Sequence, residues 1–250
     1  MFAREDREDI AVLRLAYGKV SALDPAFCEG LASEIERLEY QPFNAVVLTG
    51  TGSAFSAGVD LHQLLNGGAD YVRRFLPLME TLFRALLVLP KPLVAAVNGH
   101  AIAGGCIMAA AADHRVMARG PGRIGVPELL VGVPFPRLPL EIIAARVSPA
   151  VLRQVIYSGR TAHADEAVSI GFVDEAVEAD QLLDRAITVA RELSAIPPRT
   201  FALTKAALTE GVLARVRASA GANIDVVEAW LTPAVHDAIR RYLEKTIKRS

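Results

Sequence analysis

Two apolar runs of strand length, Ala45-Val46-Val47-Leu48-Thr49 and Leu93-Val94-Ala95-Ala96-Val97, each lead through a turn of small residues into a helical pattern. The first turn is Phe55-Ser56-Ala57-Gly58-Val59-Asp60-Leu61. The second is Ala101-Ile102-Ala103-Gly104-Gly105-Cys106-Ile107-Met108. Strands alternating with helices over the first two-thirds of the chain argue for an α/β layer built of β-β-α units. Glycine in such turns lets the backbone approach a ligand closely and adopt conformations that a side chain forbids. Two of them can aim two backbone N–H groups at one oxygen, the arrangement that stabilises an oxyanion. One strand–glycine–helix junction carries little weight; a spaced pair carries much more.

The chain is long enough to bury a large core, with 250 residues of which 52% are apolar. A net charge of −1 from 27 basic and 28 acidic residues leaves no electrostatic footprint for nucleic acid. The two cysteines, Cys28 and Cys106, are far apart and lack metal-ligand spacing, so neither a disulfide framework nor a zinc site is expected. That cysteine usage makes the cytoplasm the expected location, and the first nine residues, mostly charged, show no apolar signal region. Residues 93–112 are almost uncharged, yet Asn98, Gly99, His100, Gly104 and Gly105 interrupt them. A buried strand–turn–helix fits that stretch better than a membrane span.

Periodicity and punctuation predict strands over 10–16, 45–49, 93–97, 114–118 and 123–125, and helices over 25–39, 70–89 and 104–112. Asp24 before Pro25 reads as an N-cap, as does Asp60 before Leu61. Beyond Pro139 the pattern is helical almost throughout. After Pro197-Pro198 helices are expected over 200–210, 213–227 and 233–248. The organisation is therefore a core, 1–196, and a helical C-terminal region, 197–250. Apolar stripes in that region (Val226, Val227, Trp230, Leu231, then Val235, Ile239, Leu243) need a surface to cover them, on this chain or another.

Glu128 is the acid–base candidate, because Gly125-Val126-Pro127-Glu128-Leu129-Leu130 surrounds one carboxylate with apolar residues; the alternative at this position, after a proline, is an exposed glutamate at a helix start. Burial of that kind lifts a carboxyl pKa toward neutrality, where the group can both take and give a proton. Other residues read as structural: Cys106 as a buried thiol, His100 as scaffold, Asp113 and Arg115 as an ion pair. Ser53 and Ser56 lack a nucleophile-elbow context. Gly50-Thr51-Gly52 lacks the dinucleotide fingerprint, and no phosphate-binding loop is present.

Taken with Gly18-Lys19-Val20-Ser21-Ala22-Leu23-Asp24, Leu48-Thr49-Gly50, Lys91-Pro92 through Asn98-Gly99, Ala103-Gly104-Gly105 and Val126-Pro127-Glu128, the chain resembles the crotonase superfamily of enoyl-CoA hydratases and isomerases. The resemblance runs from about residue 11 to residue 248. It implies a crotonase-like α/β fold of repeated β-β-α units with a C-terminal helical trimerisation region, and a homotrimer or hexamer. It implies an acyl-CoA thioester substrate, with no cofactor or metal beyond coenzyme A as part of that substrate, and neither nucleic acid nor membrane as partner. Catalysis would fall to the N–H groups of Val59 and Gly104 and to Glu128. Substrate contacts would come from Lys19 near the phosphates, from Ala22 and Ala57 along the coenzyme, and from Gly58, Gly105, Ile107 and Phe135. Leu64, Leu76, Met79 and Met108 are further candidates for an acyl tunnel.

Three departures narrow the chemistry. Family hydratases carry a second glutamate where this chain has Ile107, which cannot orient or deprotonate water. Gly132-Val133-Pro134-Phe135-Pro136 replaces their glycine-rich loop with an apolar one, and Ala103 replaces a glycine, a small change expected to leave Gly104 as donor. One carboxylate in a dry site suits double-bond isomerisation, 3-enoyl to 2-enoyl, more than hydration. Hydration by Glu128 alone, other superfamily reactions and a non-catalytic acyl-CoA binder are the alternatives.

Overall fold

The computed structural model describes residues 1–247. Its plan is one unit repeated: a strand for a large sheet, a strand for a small sheet, then a helix. β1 (Phe2–Arg7) and β2 (Ile10–Leu15) precede α1 (Pro25–Tyr40). β3 (Ala45–Thr49), β4 (Ala54–Ser56) and α2 (Leu61–Val88) form the first complete unit. β5 (Leu93–Val97), β6 (His100–Ile102) and α3 (Gly104–Ala111) form the second. β7 (His114–Ala118), β8 (Ile124–Gly125) and α4 (Glu128–Val131) form the third. The α1 unit is incomplete: its small-sheet strand is reduced to a single bridge between Leu23 and Val59.

The chain continues through α5 (Arg137–Ala144), α6 (Pro149–Ser158), β9 (Thr161–Ala162), α7 (Ala164–Ile170), β10 (Glu175–Val177) and α8 (Leu182–Ser194). α9 (Pro198–Ala218), α10 (Ala220–Trp230) and α11 (Pro233–Ile247) follow. The large sheet has the order β1-β2-β3-β5-β7-β10 and the small sheet β4-β6-β8-β9. Only the outer pairs β1–β2 and β8–β9 are antiparallel.

Period-2 alternation explains why β3 and β5 are apolar at nearly every position. Val46, Leu48, Leu93, Ala95 and Val97 face the main core with α1 and α2. Ala45, Val47, Val94 and Ala96 face the opposite way, onto Ala186, Ile187 and Ala190 of α8. A strand covered on both faces keeps a polar side chain only where it finds a partner, as the Thr49 hydroxyl does by donating to the Ala96 carbonyl at 2.8 Å.

The expected β-β-α repetition is present, and several boundaries differ from expectation. The helix predicted from residue 70 begins at Leu61, capped by Asp60, whose carboxylate accepts from the Gln63 N–H at 2.9 Å. It bends at Gly68, where φ is +65°, so Gly67-Gly68 marks a kink within one element. The charged N-terminus forms β1, and charge suits an edge strand that must not recruit another sheet. β10, absent from the sequence reading, extends the large sheet at its far edge.

Residues 200–227 are not divided at Gly211; α9 runs through it and ends before Ser219. Tertiary packing of Lys205, Thr209, Val212 and Val216 on the core offsets the roughly 1 kcal/mol that a mid-helix glycine costs. The predicted end at Lys248 lies outside the described residues. Asp113 and Arg115 do not pair. Asp113 accepts from the Leu93 N–H at 2.9 Å and pairs with Lys205 at 2.7 Å, while Arg115 binds Asp174. Two residues apart on extended chain they lie roughly 7 Å from one another, and each has a nearer partner across the fold.

Candidate active site

The three complete units each deliver one group to the same place, just beyond the C-terminal end of the small-sheet strand. After β4 comes Gly58-Val59, after β6 Ala103-Gly104, and after β8 Pro127-Glu128. Because β4, β6 and β8 run parallel, these ends sit side by side. Val59, Gly104 and Glu128 all line one cavity, concave and mostly apolar as small-molecule sites are.

Backbone bonding orients the first donor. Leu23 N–H donates to the Gly58 carbonyl at 2.8 Å, and Asp60 N–H donates to the Leu23 carbonyl at 2.9 Å. Successive amides of extended chain point to opposite sides, so the Val59 N–H faces away from Leu23. The second donor, Gly104, is the first residue of α3, where a helix offers its N–H no internal acceptor. The helix dipole adds positive potential at that point.

Close approach of the two turns requires glycine at 58. Its φ is +78°, and a Cβ there would lie 2.4 Å from the Ile102 carbonyl oxygen and 3.1 Å from the Gly104 nitrogen. Packing and donor placement are thus one fact: the contact that excludes a side chain brings the two turns together. A Cβ on Gly104 would point inward, 2.8 Å from Leu23 Cδ2 and 3.6 Å from Phe83 Cζ. Ala103 proves a costlier exchange for glycine than the sequence implies, because it holds φ +50° and ψ −120°, a region that L-residues avoid.

Glu128 is 8% exposed, and its Oε2 is buried with no hydrogen-bond partner among the described residues. Burial pushes its pKa up from 4.5 to about 8, partly offset by a backbone hydrogen bond. Among the described residues it is the one carboxylate lining the cavity; Ile107, Val131, Val133, Pro136 and Pro139 make much of the remaining wall apolar. A carboxylate with one oxygen unpaired, in apolar surroundings and beside two backbone donors, can move a proton next to a carbonyl whose oxygen those donors hold.

Ala57 and Ile107 also line the cavity, with Ala57 exposed at its mouth. Gly105 packs behind it, where a Cβ would meet the Ser56 carbonyl at 2.3 Å. Ala22 is half-buried and Lys19 exposed. Their segment runs beside the mouth, since Ala57 N–H donates to the Val20 carbonyl at 3.0 Å and the Ser56 hydroxyl to the Ser21 carbonyl at 2.6 Å. Of the acyl-tunnel candidates Met79 lines the cavity, whereas Leu64, Leu76, Met108 and Phe135 belong to the main core around it. Cys106 is fully buried, and burial followed by the nearby Glu128 charge holds its thiol well above the ordinary range.

Val133, from the apolar loop expected to form the wall, lines the cavity, whereas sequence reasoning did not place Phe83, Trp230 or Tyr242 at the site. Trp230 stood in an apolar stripe in need of a surface, but nothing local tells which surface that is. The structure seats it on its own chain, its indole N–H donating to the Pro134 carbonyl at 2.9 Å.

A family model described as enoyl-CoA hydratase/isomerase matches residues 5–248. A putative enoyl-CoA hydratase of Thermus thermophilus is 35% identical over 235 residues, 89% of each chain. The crystal structure of human mitochondrial delta3-delta2-enoyl-CoA isomerase superposes with a TM-score of 0.93 at 25% identity, covering 100% of this chain and 99% of that one. That of a probable enoyl-CoA hydratase from Mycobacterium tuberculosis gives 0.84 at 31% identity, covering 91% and 97%.

Proposed function

This chain belongs to the enoyl-CoA hydratase/isomerase family, and from that premise we propose that it moves the double bond of a 3-enoyl-CoA to position 2. The thioester oxygen would accept from the Val59 and Gly104 N–H groups. Glu128, ionised, would remove a proton from carbon 2, giving a dienolate whose negative charge rests on that oxygen. The same carboxyl would then return the proton at carbon 4, leaving a conjugated 2-enoyl thioester and a regenerated carboxylate. Fixed donors matter because the charge develops on the oxygen; losing one donor typically costs about 10²–10³ in rate.

The observation that carries this reading is a carboxylate, single among the described residues of an apolar cavity, with one oxygen buried and unpaired and with Ile107 in place of a water-activating group. Isomerisation needs one proton carrier and gains from the absence of water. Coenzyme A would follow Ala22 and Ala57, with Lys19 toward its phosphates; the bonding of that segment to the cavity mouth supports this course. We propose further that the protein is a homotrimer or hexamer. In support, Ile196 and Leu208 are exposed beside an apolar groove floored by Leu193 and Val212, a surface suited to another copy. A cytoplasmic location accords with two buried, unpaired cysteines.

Purified protein incubated with 3-hexenoyl-CoA should yield 2-hexenoyl-CoA, followed by chromatography, and should leave 2-hexenoyl-CoA unhydrated. Conversion of the 2-enoyl substrate alone, to a 3-hydroxy product, would replace isomerisation by hydration.

A further inference from the structure

Burial gives the cavity a direction. Ala57 is exposed and Val59, Leu61 and Ala103 are half-buried, so the opening lies at the Gly58 turn. Met79, Phe83, Val133 and Trp230 line the same space and are buried, so they wall it off from solvent. Val59, Gly104, Ile107 and Glu128 line the same cavity, so the tail of a thioester held by the two turns occupies the space that those buried side chains enclose.

Trp230 is the largest side chain there, and it is 2% exposed. It does not belong to the core units; it closes α10 and reaches the cavity from the C-terminal region. Its position is fixed at two points. The indole N–H donates to the Pro134 carbonyl at 2.9 Å, in the loop that follows the Glu128 helix, and His236 Nε2 lies 3.1 Å from the Trp230 carbonyl oxygen. The next helix is held close as well: the backbone at Gly132, with φ +95°, lies so near Ala238 that a Cβ would come within 2.4 Å of its methyl. A large ring held by a hydrogen bond cannot swing aside without leaving a buried donor unpaired, which is costly.

We infer that Trp230 is the residue that ends the acyl site and sets the longest acyl chain the protein accepts, making its substrates short- to medium-chain acyl thioesters. This rests on the acyl-CoA reading above. Each methylene that finds apolar space improves binding about fourfold. Affinity should therefore climb with chain length until the tail meets the indole and then stop.

Trp230 is the sole tryptophan of the chain, so the wild-type protein reports on the contact directly. Coenzyme A, acetyl-, butyryl-, hexanoyl-, octanoyl- and dodecanoyl-CoA are titrated, with binding read by calorimetry and tryptophan emission recorded in parallel. Coenzyme A and acetyl-CoA are expected to bind with unchanged emission. The emission should shift from one chain length onward, the length at which affinity stops rising. Trp230→Ala should move that limit outward by two or more carbons, with at least tenfold tighter binding of the first chain that the wild type refuses. Trp230→Phe, which keeps most of the ring, should leave the limit within two carbons. Saturated chains make these readouts independent of the reaction catalysed. Emission that ignores every bound chain, or a Trp230→Ala limit equal to that of the wild type, overturns the inference and leaves the acyl-CoA reading intact. Failure of the wild type to bind any acyl-CoA overturns both.

Discussion

At the scale of single residues, Glu128 joins rate and stability to one proton. With its pKa raised from 4.5 to about 8 by burial, the folded protein binds more protons at this position than the unfolded chain between those values. Stability from this group therefore falls as pH rises through that window. The cost is absent below about pH 4.5 and complete above about pH 8, where it approaches roughly 5 kcal/mol. Glu128→Gln removes the ionisation and keeps the shape. The variant should match the wild type in stability near pH 4 and exceed it increasingly up to pH 8, measured by denaturant unfolding across pH. Its turnover should drop by about 10²–10⁴-fold with acyl-CoA affinity nearly intact. Wild-type kcat/KM should rise about tenfold per pH unit and level off near pH 8, since the base must be ionised. A variant within threefold of wild-type turnover removes Glu128 from the chemistry.

At the scale of elements, the turn between β6 and α3 carries the clearest conflict between residue type and conformation. Ala103 sits at φ +50° while its N–H donates to the Gly125 carbonyl at 2.8 Å and its carbonyl accepts from the Ile107 N–H at 3.0 Å. The bonds hold the turn in a shape that presents Gly104 to the cavity, and the methyl group opposes that shape. Ala103→Gly should relieve the opposition and raise stability by about 1 kcal/mol, net of the greater freedom glycine has when unfolded. Activity should stay within a few-fold, because the Gly104 N–H keeps its place. Lower stability with an unchanged fold by circular dichroism would show that the methyl group contributes packing outweighing the strain.

Across the whole molecule, the C-terminal helices serve two surfaces. α10 and α11 cover the cavity of their own chain through Trp230 and Tyr242. α9 is tied to the core by the buried Lys205–Asp113 pair at 2.7 Å, and it leaves Leu208 78% exposed beside the groove that also holds Phe201 and Ile196. Sedimentation analysis should therefore give three or six copies. Leu208→Glu, which places a charge where another copy is expected, should shift the protein toward smaller species without loss of helical content. A wild-type protein that sediments as a monomer would overturn the oligomer.

The α/β class and the site candidates were legible in the sequence because they depend on local rules. A buried strand is mostly apolar, a helix start favours a capping side chain, and a turn in close backbone contact needs glycine. Val46-Val47-Leu48, Asp60 and Gly58 obey those rules with their neighbours alone. Resemblance then singled out Glu128, Val59 and Gly104, and the repeated β-β-α unit carries all three to one cavity. What local rules cannot determine is which distant surfaces meet. Asp113 takes Lys205, 92 positions away, in place of Arg115, and Phe135 turns into the core beside a cavity that its neighbours Val133 and Pro136 line. The apolar stripe of α10 could have covered another subunit as readily as its own chain. Tertiary structure decided for its own chain, since the Pro134 carbonyl stands where the Trp230 indole can satisfy its N–H while burying its ring.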